Sequence, residues 1–487
     1  MLSTSAVRRL SPALFAATGV AVLLTLAFSA GNAHAQSNRV PVAQEFSNQY
    51  LPENLPDLHL AQYFPQEWKT YASNMGRNAV FPLSASAPAL LKNGVVWSFA
   101  GAGAVPLDGP PLNGNFKTTA YTIGMPVGVS VVRGILYVGD DNGYTYALNA
   151  VTGRLIWSHY GWNMNMSNPL VDGDRVIVST GNAYFNYEKT MQYVKGKRTV
   201  RGPGLNSIYA LNRATGREIW AFHTPGEVMP TPVDVDGSLY VGTGDGHVYK
   251  VDAATGRQVW KTDIESFVSM SSPVAGDGYI FLGGTYPNYF YALDQKTGRI
   301  VWKTTIPSLV ATGISDCTPA YADGIVVQEA TLESGNLSDP VANVLLALDA
   351  KTGKLLWQQR MSNGPVPPAM KTATPMIVAG IVYEGSPVSG NYHAFDLKTG
   401  RKLWTVHLGS QIRAGAAVFD GVAYIPYHSG DIAAIRTSDG KLLGKRHIGG
   451  SFGPSSPVIV GGTLYVSNVY GWVTAIPARQ IATASVR

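Results

Sequence analysis

The stretch YALNRATGREIW, from Tyr209 to Trp220, recurs along this chain of 487 residues. Each copy is expected to form a strand, a Thr-Gly turn and a second strand, because glycine supplies the positive φ that such a turn requires. A decayed copy, AAIRTSDGKLLG, ends at Gly444. The clear copies end at Trp157, Trp220, Trp260, Trp302, Trp357 and Trp404.

Two further strands precede each copy, as in PTPVDVDGSLYVGTGDG from Pro230 to Gly246. Four short strands that recur every 40 to 60 residues or so are typical of a β-propeller blade. The last unit, Pro457 to Pro477, has no Thr-Gly-Trp strand after it, and LKNGVVWSF, from Leu91 to Phe99, is the strand left over at the other end. The sequence therefore predicts an all-β, eight-bladed β-propeller of four-stranded blades, whose last blade is closed by the N-terminal strand.

The first residues have the order of a secretory signal. Arg8 and Arg9 precede an apolar run from Ala13 to Ala30, and the small-residue stretch AHA ends at Ala35. A membrane anchor is the alternative, but the small residues that end at Ala35 favour cleavage by a signal peptidase. No lipobox cysteine is present, so a lipid anchor is not expected. We expect a signal peptide at 1–35, an N-terminal extension at 36–90 packed on the propeller, the propeller at 91–480 and a C-terminal tail at 481–487.

The composition is low in charge and in cysteine. Charged residues make up 14% of the chain, and its one cysteine, Cys317, cannot form an internal disulfide. The formal net charge of +6 is too dispersed to indicate nucleic-acid binding. A protein with few carboxylates has few groups whose protonation would cost stability in acid, so the composition suits an exported protein of an acidic habitat. A chance bias in composition is the alternative.

Asp316, in the stretch GISDCTPAYADG from Gly313 to Gly324, stands out when the eight units are aligned. The alignment uses the proline before each first strand, and the residue three before it marks the loop that feeds the central channel. Asp316 and Arg413 are the charged exceptions in this ring, and Lys371 lies beside Thr372 on the blade between them. The ring positions are Pro126, Met166, Met229, Met270, Asp316, Thr372, Arg413 and Pro454.

We expect Asp316 to be an acid or base at the mouth of the channel, with Arg413, Lys371 and Thr372 as ligands of an anion. A structural ion pair between Asp316 and Arg413 is the alternative. Cys317 is a reserve candidate as a nucleophile, although a buried small residue is the more usual role of a lone cysteine.

Glu227 is a reserve acid near the mouth, or simply a polar loop residue. Two insertions, Asn182–Asn206 and Glu329–Asn343, interrupt the second and fifth blades, and they are expected to form loops on the face that carries Asp316. The repeated acids Asp252, Asp294, Asp349 and Asp396 are assigned to the turns, because Asn149 and Asn212 fill the same position elsewhere.

The repeated ALDxxTGxxxW pattern resembles the quinoprotein-dehydrogenase-like propeller superfamily, which contains quinone enzymes, hydrolases and scaffolds. A pyrroloquinoline-quinone dehydrogenase would imply a vicinal disulfide and a calcium ion, and the single Cys317 excludes that disulfide. A non-enzymatic periplasmic scaffold would have no need of an isolated acid at the channel mouth.

The stretch GISDCTPA, the low charge, the export signal and the missing disulfide together resemble the tetrathionate hydrolases of acidophilic sulfur-oxidising bacteria. The resemblance implies hydrolysis of tetrathionate to thiosulfate, sulfur and sulfate in acid, without a cofactor. It also implies that Asp316 is the catalytic aspartate of the propeller cavity and that the protein is a homodimer. Alternatives left open are the quinone dehydrogenase, with pyrroloquinoline quinone and calcium, and the scaffold.

Overall fold

The described strands form eight antiparallel sheets, one for each blade. Within a sheet, the strands follow in sequence order from the innermost to the outermost, except in the sheet where the two ends of the chain meet. The computed structural model describes residues 45–46, 94, 96–102, 104, 106–108, 128–181, 197–306, 316–332, 340–365, 373–454 and 456–484. These residues belong to one compact unit, Asn38–Arg487. The sequence also predicts a short helix near 58–63, and this segment lies outside the described residues.

Two strands precede the first complete blade, β1 (Glu45–Phe46) and β2 (Trp97–Ala100). Blade 1 contains β3 (Ser130–Val132), β4 (Ile135–Gly139), β5 (Tyr144–Asn149) and β6 (Leu155–Tyr160). Blade 2 contains β7 (Leu170–Asp172), β8 (Arg175–Thr180), β9 (Asn206–Asn212) and β10 (Glu218–Thr224). Blade 3 contains β11 (Val233–Val235), β12 (Ser238–Gly242), β13 (His247–Asp252) and β14 (Gln258–Asp263). Blade 4 contains β15 (Val274–Gly276), β16 (Tyr279–Gly284), β17 (Tyr289–Asp294) and β18 (Ile300–Thr305).

The second half of the chain repeats this arrangement. Blade 5 contains β19 (Ala320–Ala322), β20 (Ile325–Leu332), β21 (Val341–Asp349) and β22 (Leu355–Gly364). Blade 6 contains β23 (Met376–Val378), β24 (Ile381–Gly385), β25 (Asn391–Asp396) and β26 (Lys402–His407). Blade 7 contains β27 (Ala417–Phe419), β28 (Val422–Tyr427), β29 (Asp431–Arg436) and β30 (Leu442–His447). Blade 8 contains β31 (Val458–Val460), β32 (Thr463–Ser467), β33 (Trp472–Pro477) and, as its outer strand, β2.

The closure of blade 8 by the N-terminal strand confirms the predicted fold. Trp97 pairs with Ala475, and β1 adds a further short strand outside β2. The indole Nε1 of Trp97 donates to the carbonyl oxygen of Ala150 in blade 1, at 3.0 Å. The ring of blades is therefore joined by strand pairing within blade 8 and by a side-chain hydrogen bond to blade 1.

The repeated tryptophans join neighbouring blades in the same way. Trp302 of blade 4 donates from Nε1 to the carbonyl oxygen of Ala350 in blade 5, at 3.0 Å. Its ring lies on the turn glycine Gly353, where an added Cβ would be 2.6 Å from the indole. Gly353 also has a φ of +69°, so the turn requires glycine for its backbone and for the indole above it. Equivalent bonds are made by Trp157, Trp220, Trp260, Trp357 and Trp404.

The acids of the repeat hold the turns, as expected. Asp349 Oδ1 accepts from the backbone N–H of Thr352 at 2.8 Å and from its hydroxyl at 2.7 Å. Asp252, Asp294 and Asp396 make the same contacts. These acids lie on the surface, and they take no part in the site.

Hydroxyl groups link the innermost strands around the channel. Asn168 N–H donates to Thr231 Oγ1 at 2.8 Å, and Thr231 N–H donates to Ser272 Oγ at 2.9 Å. The series continues from Ser272 N–H to Thr318 Oγ1 at 3.2 Å. We call Thr231, Ser272, Thr318 and Ser456 the inner hydroxyl ring, since Ser456 accepts likewise from Gly415 at 3.0 Å. These hydrogen bonds fix where the ring positions of the alignment, two residues earlier in each loop, lie along the channel.

One prediction about the insertions is wrong. Glu329–Leu332 and Val341–Asn343 do not belong to a loop, because β20 and β21 extend through them. The short helix α1 (Ala478–Ala482) follows the last strand and contacts β29 and β30, so ordered structure passes residue 480, the expected end of the propeller. Among the described residues, no helix is long and apolar enough to cross a membrane.

Candidate active site in the central channel

A small cavity, which opens to solvent, lies at the channel mouth and is lined by five of the predicted ring positions. Ring residues from five blades meet in it, together with the residues two positions further along the loops of blades 2 to 6. The alignment of the repeats therefore predicted a real neighbourhood. The described lining residues are Met166, Asn168, Met229, Thr231, Met270, Ser272, Asp316, Thr318, Thr374 and Pro454.

Asp316 supplies the one carboxylate among these lining residues. Its side chain is partly buried, and its Oδ1 atom is buried without a hydrogen-bond partner in the described part of the protein. The described ion pairs include none between Asp316 and Arg413, so the structural alternative for these two residues does not hold. An acid that lines a cavity and lacks a permanent partner can exchange protons with a bound molecule.

Arg413 occupies its ring position, but the cavity lining does not include it. The side chain is buried, and Nη2 donates to Gln411 Oε1 at 2.9 Å. Its Nε has no hydrogen-bond partner, and burial lowers the pKa of Arg413 to about 10. Lys371 and Thr372, the other predicted anion ligands, lie outside the described residues, as does Pro126.

Cys317 has the position of a structural serine. In blades 2 and 4, Ser167 and Ser271 stand at this position and accept backbone N–H groups from the second strand, at 2.8 and 3.1 Å. Cys317 is fully buried, its thiol donates to Thr318 O at 3.5 Å, and burial raises its pKa well above the usual value. The thiolate, which would be the nucleophile, is disfavoured here, and this supports the role of a small buried residue.

Glu227 forms a fully buried ion pair with Arg201. The backbone fixes this pair, because Arg201 N–H donates to Gly244 O at 2.8 Å and Glu227 N–H donates to Arg201 O at 3.2 Å. The guanidinium of Arg201 also lies 5.3 Å from the centre of the Phe267 ring. Glu227 is thus paired with Arg201 and does not line the cavity, so the prediction of a reserve acid at this position is wrong.

Arg201 is the site residue that the sequence reasoning missed. It belongs to the insertion Asn182–Asn206, and it reaches blade 3 through the contacts just described. Burial lowers the pKa of Arg201 to about 10, and the charge of Asp316 opposes this shift. The insertion therefore brings a cation within electrostatic range of Asp316. The sequence RGPG at 201–204 gave a weak signal, since glycines allow close backbone approach.

A second buried group, Glu329 and Glu384, lies in blades 5 and 6, and we call it the buried carboxyl pair. Glu329 accepts hydrogen bonds from Asn343 Nδ2 and from the backbone N–H of Ala373. Both carboxylate oxygens of Glu384 are buried, and no described residue forms a hydrogen bond with them. Burial raises the pKa of both residues well above the usual value, and Glu329 raises that of Glu384 further. Both therefore hold a proton in mild acid.

The repeat contained the signal for Glu384. Its position in the second strand is apolar in six blades and is occupied by Gln328 in blade 5. This exception lies outside the ring positions, so the alignment of those positions does not show it. The six apolar residues are Val138, Val178, Val241, Leu282, Ile425 and Val466.

Comparison with known proteins agrees with this architecture. A family model described as "Outer membrane protein assembly factor BamB" matches residues 92–192, 204–282, 244–417 and 394–484. The quinohemoprotein alcohol dehydrogenase of Comamonas testosteroni has a similar structure, with a TM-score of 0.56, 14% identity and coverage of 87% of this chain and 81% of that one. At this identity, the similarity concerns the fold alone.

Two relatives are similar over nearly their whole length. A tetrathionate hydrolase of Acidithiobacillus ferrooxidans is 41% identical over 89% of this chain and 90% of its own. A tetrathionate hydrolase of Acidianus ambivalens is 32% identical over 90% of this chain and 88% of its own. The chain therefore belongs to the repeat family that the matching family model describes and, within it, to the tetrathionate hydrolases.

Proposed function

We propose that this protein hydrolyses tetrathionate in acid, with Asp316 as the proton-transferring residue of the central cavity. The balanced reaction is S₄O₆²⁻ + H₂O → S₂O₃²⁻ + S + SO₄²⁻ + 2 H⁺. The observation that carries the proposal is the Asp316 carboxyl group, which lines the cavity and has a buried oxygen without a hydrogen-bond partner among the described residues. The two tetrathionate hydrolases that resemble the whole chain give the substrate.

The reaction needs proton transfer at a sulfur atom. Water attacks one sulfur, so that an S–O bond forms while an S–S bond breaks. Asp316 accepts the proton that the water loses and delivers a proton to the departing sulfur. The guanidinium of Arg201 lies within electrostatic range of Asp316. Sulfonate binding by Lys371, Thr372 and Arg413 stays a prediction.

The described residues do not fit a calcium-bound quinone. The lining contributes a single carboxylate, and no three His, Cys, Asp or Glu side chains of the described part are grouped to hold a metal ion. We therefore propose hydrolysis without a quinone or calcium. Such a protein would differ in this respect from a quinone-dependent dehydrogenase that shares its fold.

We propose that the protein works outside the cytoplasm, after loss of the N-terminal signal, as a homodimer. The basic and apolar pattern of 1–35 supports export. The buried carboxyl pair supports an acidic habitat, because acid keeps both residues in the neutral form that burial favours.

The test compares Asp316→Asn with the wild type on tetrathionate, in acid and without added quinone. We expect kcat to fall by about 10²–10⁴, the usual contribution of a general acid–base residue, with an unchanged circular dichroism spectrum. Thiosulfate and sulfate are measured as the products. Asp349→Asn is the matched control and should keep full activity, because Asn149 and Asn212 already fill its repeat position. Activity within a few fold of the wild type in Asp316→Asn would remove Asp316 from the mechanism.

A further inference from the structure

Three methionines from consecutive blades form one wall of the central cavity. Met166, Met229 and Met270 occupy the same ring position in blades 2, 3 and 4, and Asp316 occupies it in blade 5. The cavity therefore has a thioether wall directly followed by the proposed proton-transferring acid. We call these three methionines the methionine wall.

The fold itself does not require methionine at these positions. The inner hydroxyl ring, two residues further along each loop, already links these blades by hydrogen bonds. The same ring position holds Asp316 in blade 5 and Pro454 in blade 8, so the loop accepts side chains of very different shape. Met229 and Met166 are 3% and 7% exposed, so each presents only a small part of its side chain to the cavity. Their shared feature is the sulfur atom that each brings to the cavity.

The chemistry of this wall suits one part of a polythionate. A thioether is polarizable, adaptable and only a weak hydrogen-bond acceptor, so it offers little to a hydrated sulfonate. It also stays uncharged in acid. The divalent sulfur atoms between the two sulfonates carry little charge and are polarizable themselves, and they lose little hydration when they enter an apolar surface.

We propose that Met166, Met229 and Met270 contact the divalent sulfur atoms of the substrate and so select anions in which such a chain separates two sulfonates. This inference rests on the proposed function, since it identifies how the same cavity recognises its substrate. It assigns the three methionines a role in specificity and leaves the proton transfer to Asp316.

The experiment replaces the sulfur without changing the volume. Met229→Leu and the double variant Met229→Leu/Met270→Leu are compared with Met376→Leu, a matched control in the core of blade 6 that is 2% exposed and does not line the cavity. Calorimetric titration gives the Kd for tetrathionate and for dithionate, whose sulfonates are joined directly, with no divalent sulfur. Steady-state kinetics with tetrathionate give kcat and KM.

We expect each wall substitution to weaken tetrathionate binding by about three- to tenfold and to raise KM similarly, with kcat nearly constant. The affinity for dithionate and the behaviour of Met376→Leu should stay at the wild-type level. Equal losses for both anions would overturn the inference, as would unchanged tetrathionate binding in the double variant. A wild-type protein that fails to cleave tetrathionate would refute the proposed function, while the titrations would still test the methionine wall.

Discussion

Replacing Glu384 by glutamine should make the stability of the protein less sensitive to a rise in pH. The folded protein keeps Glu384 protonated well above the ordinary pKa of 4.5, because the residue is fully buried beside Glu329 and its oxygens have no partner. The unfolded chain loses the same proton near its ordinary pKa. The contribution of this proton to stability is therefore fully present below about pH 4.5, and it is lost as the pH rises towards the folded pKa of Glu384.

The size of the effect follows from proton linkage. Each residue that is protonated when folded and ionised when unfolded lowers the free energy of unfolding by about 1.4 kcal/mol per pH unit. Where the pH lies between the ordinary and the folded pKa values, Glu329 and Glu384 together give about 2.7 kcal/mol per pH unit, a large share of the roughly 5–15 kcal/mol of a folded domain. Asp140, whose pKa burial raises to about 7, adds the same slope to wild type and variant and cancels in their difference.

Denaturant unfolding at a series of pH values measures this slope. Glu384→Gln should lose about 1.4 kcal/mol less per pH unit than the wild type over this range. Glutamine fits the strand, since Gln328 fills the same position in blade 5. Asp349→Asn is the control and should keep the wild-type slope here, because its side-chain and backbone hydrogen bonds to Thr352 lower the pKa of this exposed acid. Parallel curves for wild type and Glu384→Gln would refute the reasoning.

Three other results are expected. In denaturant unfolding, Gly353→Ala should destabilise the protein by about 3 kcal/mol, because its φ is positive and a Cβ would overlap the Trp302 indole. Gly324→Ala, where φ is also positive but the space is open, should destabilise it by about 1 kcal/mol. Arg201→Met should lower the free energy of unfolding by about 3–5 kcal/mol, because it leaves Glu227 as a buried unpaired charge. The double variant Arg201→Met/Glu227→Gln should recover most of this loss. A double variant as unstable as the single one would contradict this account. Light scattering should give about twice the mass of one chain, and a monomer would refute the proposed dimer.

The fold could be predicted because the sequence repeats the same physical requirement. Each turn needs a glycine with a positive φ, and the indole of the preceding blade packs on that glycine. The pair formed by Gly353 and Trp302 therefore has equivalents at other blade junctions. The ring alignment worked for the same reason. Equivalent loops end at equivalent heights above the inner hydroxyl ring, and this brought Asp316 and Met229 to one cavity.

The rest of the site had no repeated copy with which it could be compared. Arg201 lies in an insertion, and only the folded backbone shows that Gly244 and Glu227 hold it near Asp316. The alignment also could not show which way a long side chain turns, and Arg413 turns to Gln411. A short side chain such as that of Asp316 lies close to its own backbone, so its position follows from the loop and was easier to predict.

Blade 8 is assembled from both ends of the chain, and this has a consequence for biogenesis. Ser98 and Thr474, 376 positions apart, face each other across its outer strand pair. Contacts between such distant residues form late, because a long loop must close first. During synthesis from the N-terminus, the chain therefore carries an unpaired strand with an exposed Trp97 until its final residues are made. A truncation near the C-terminus would consequently open the whole circle, even though it removes nothing from the cavity.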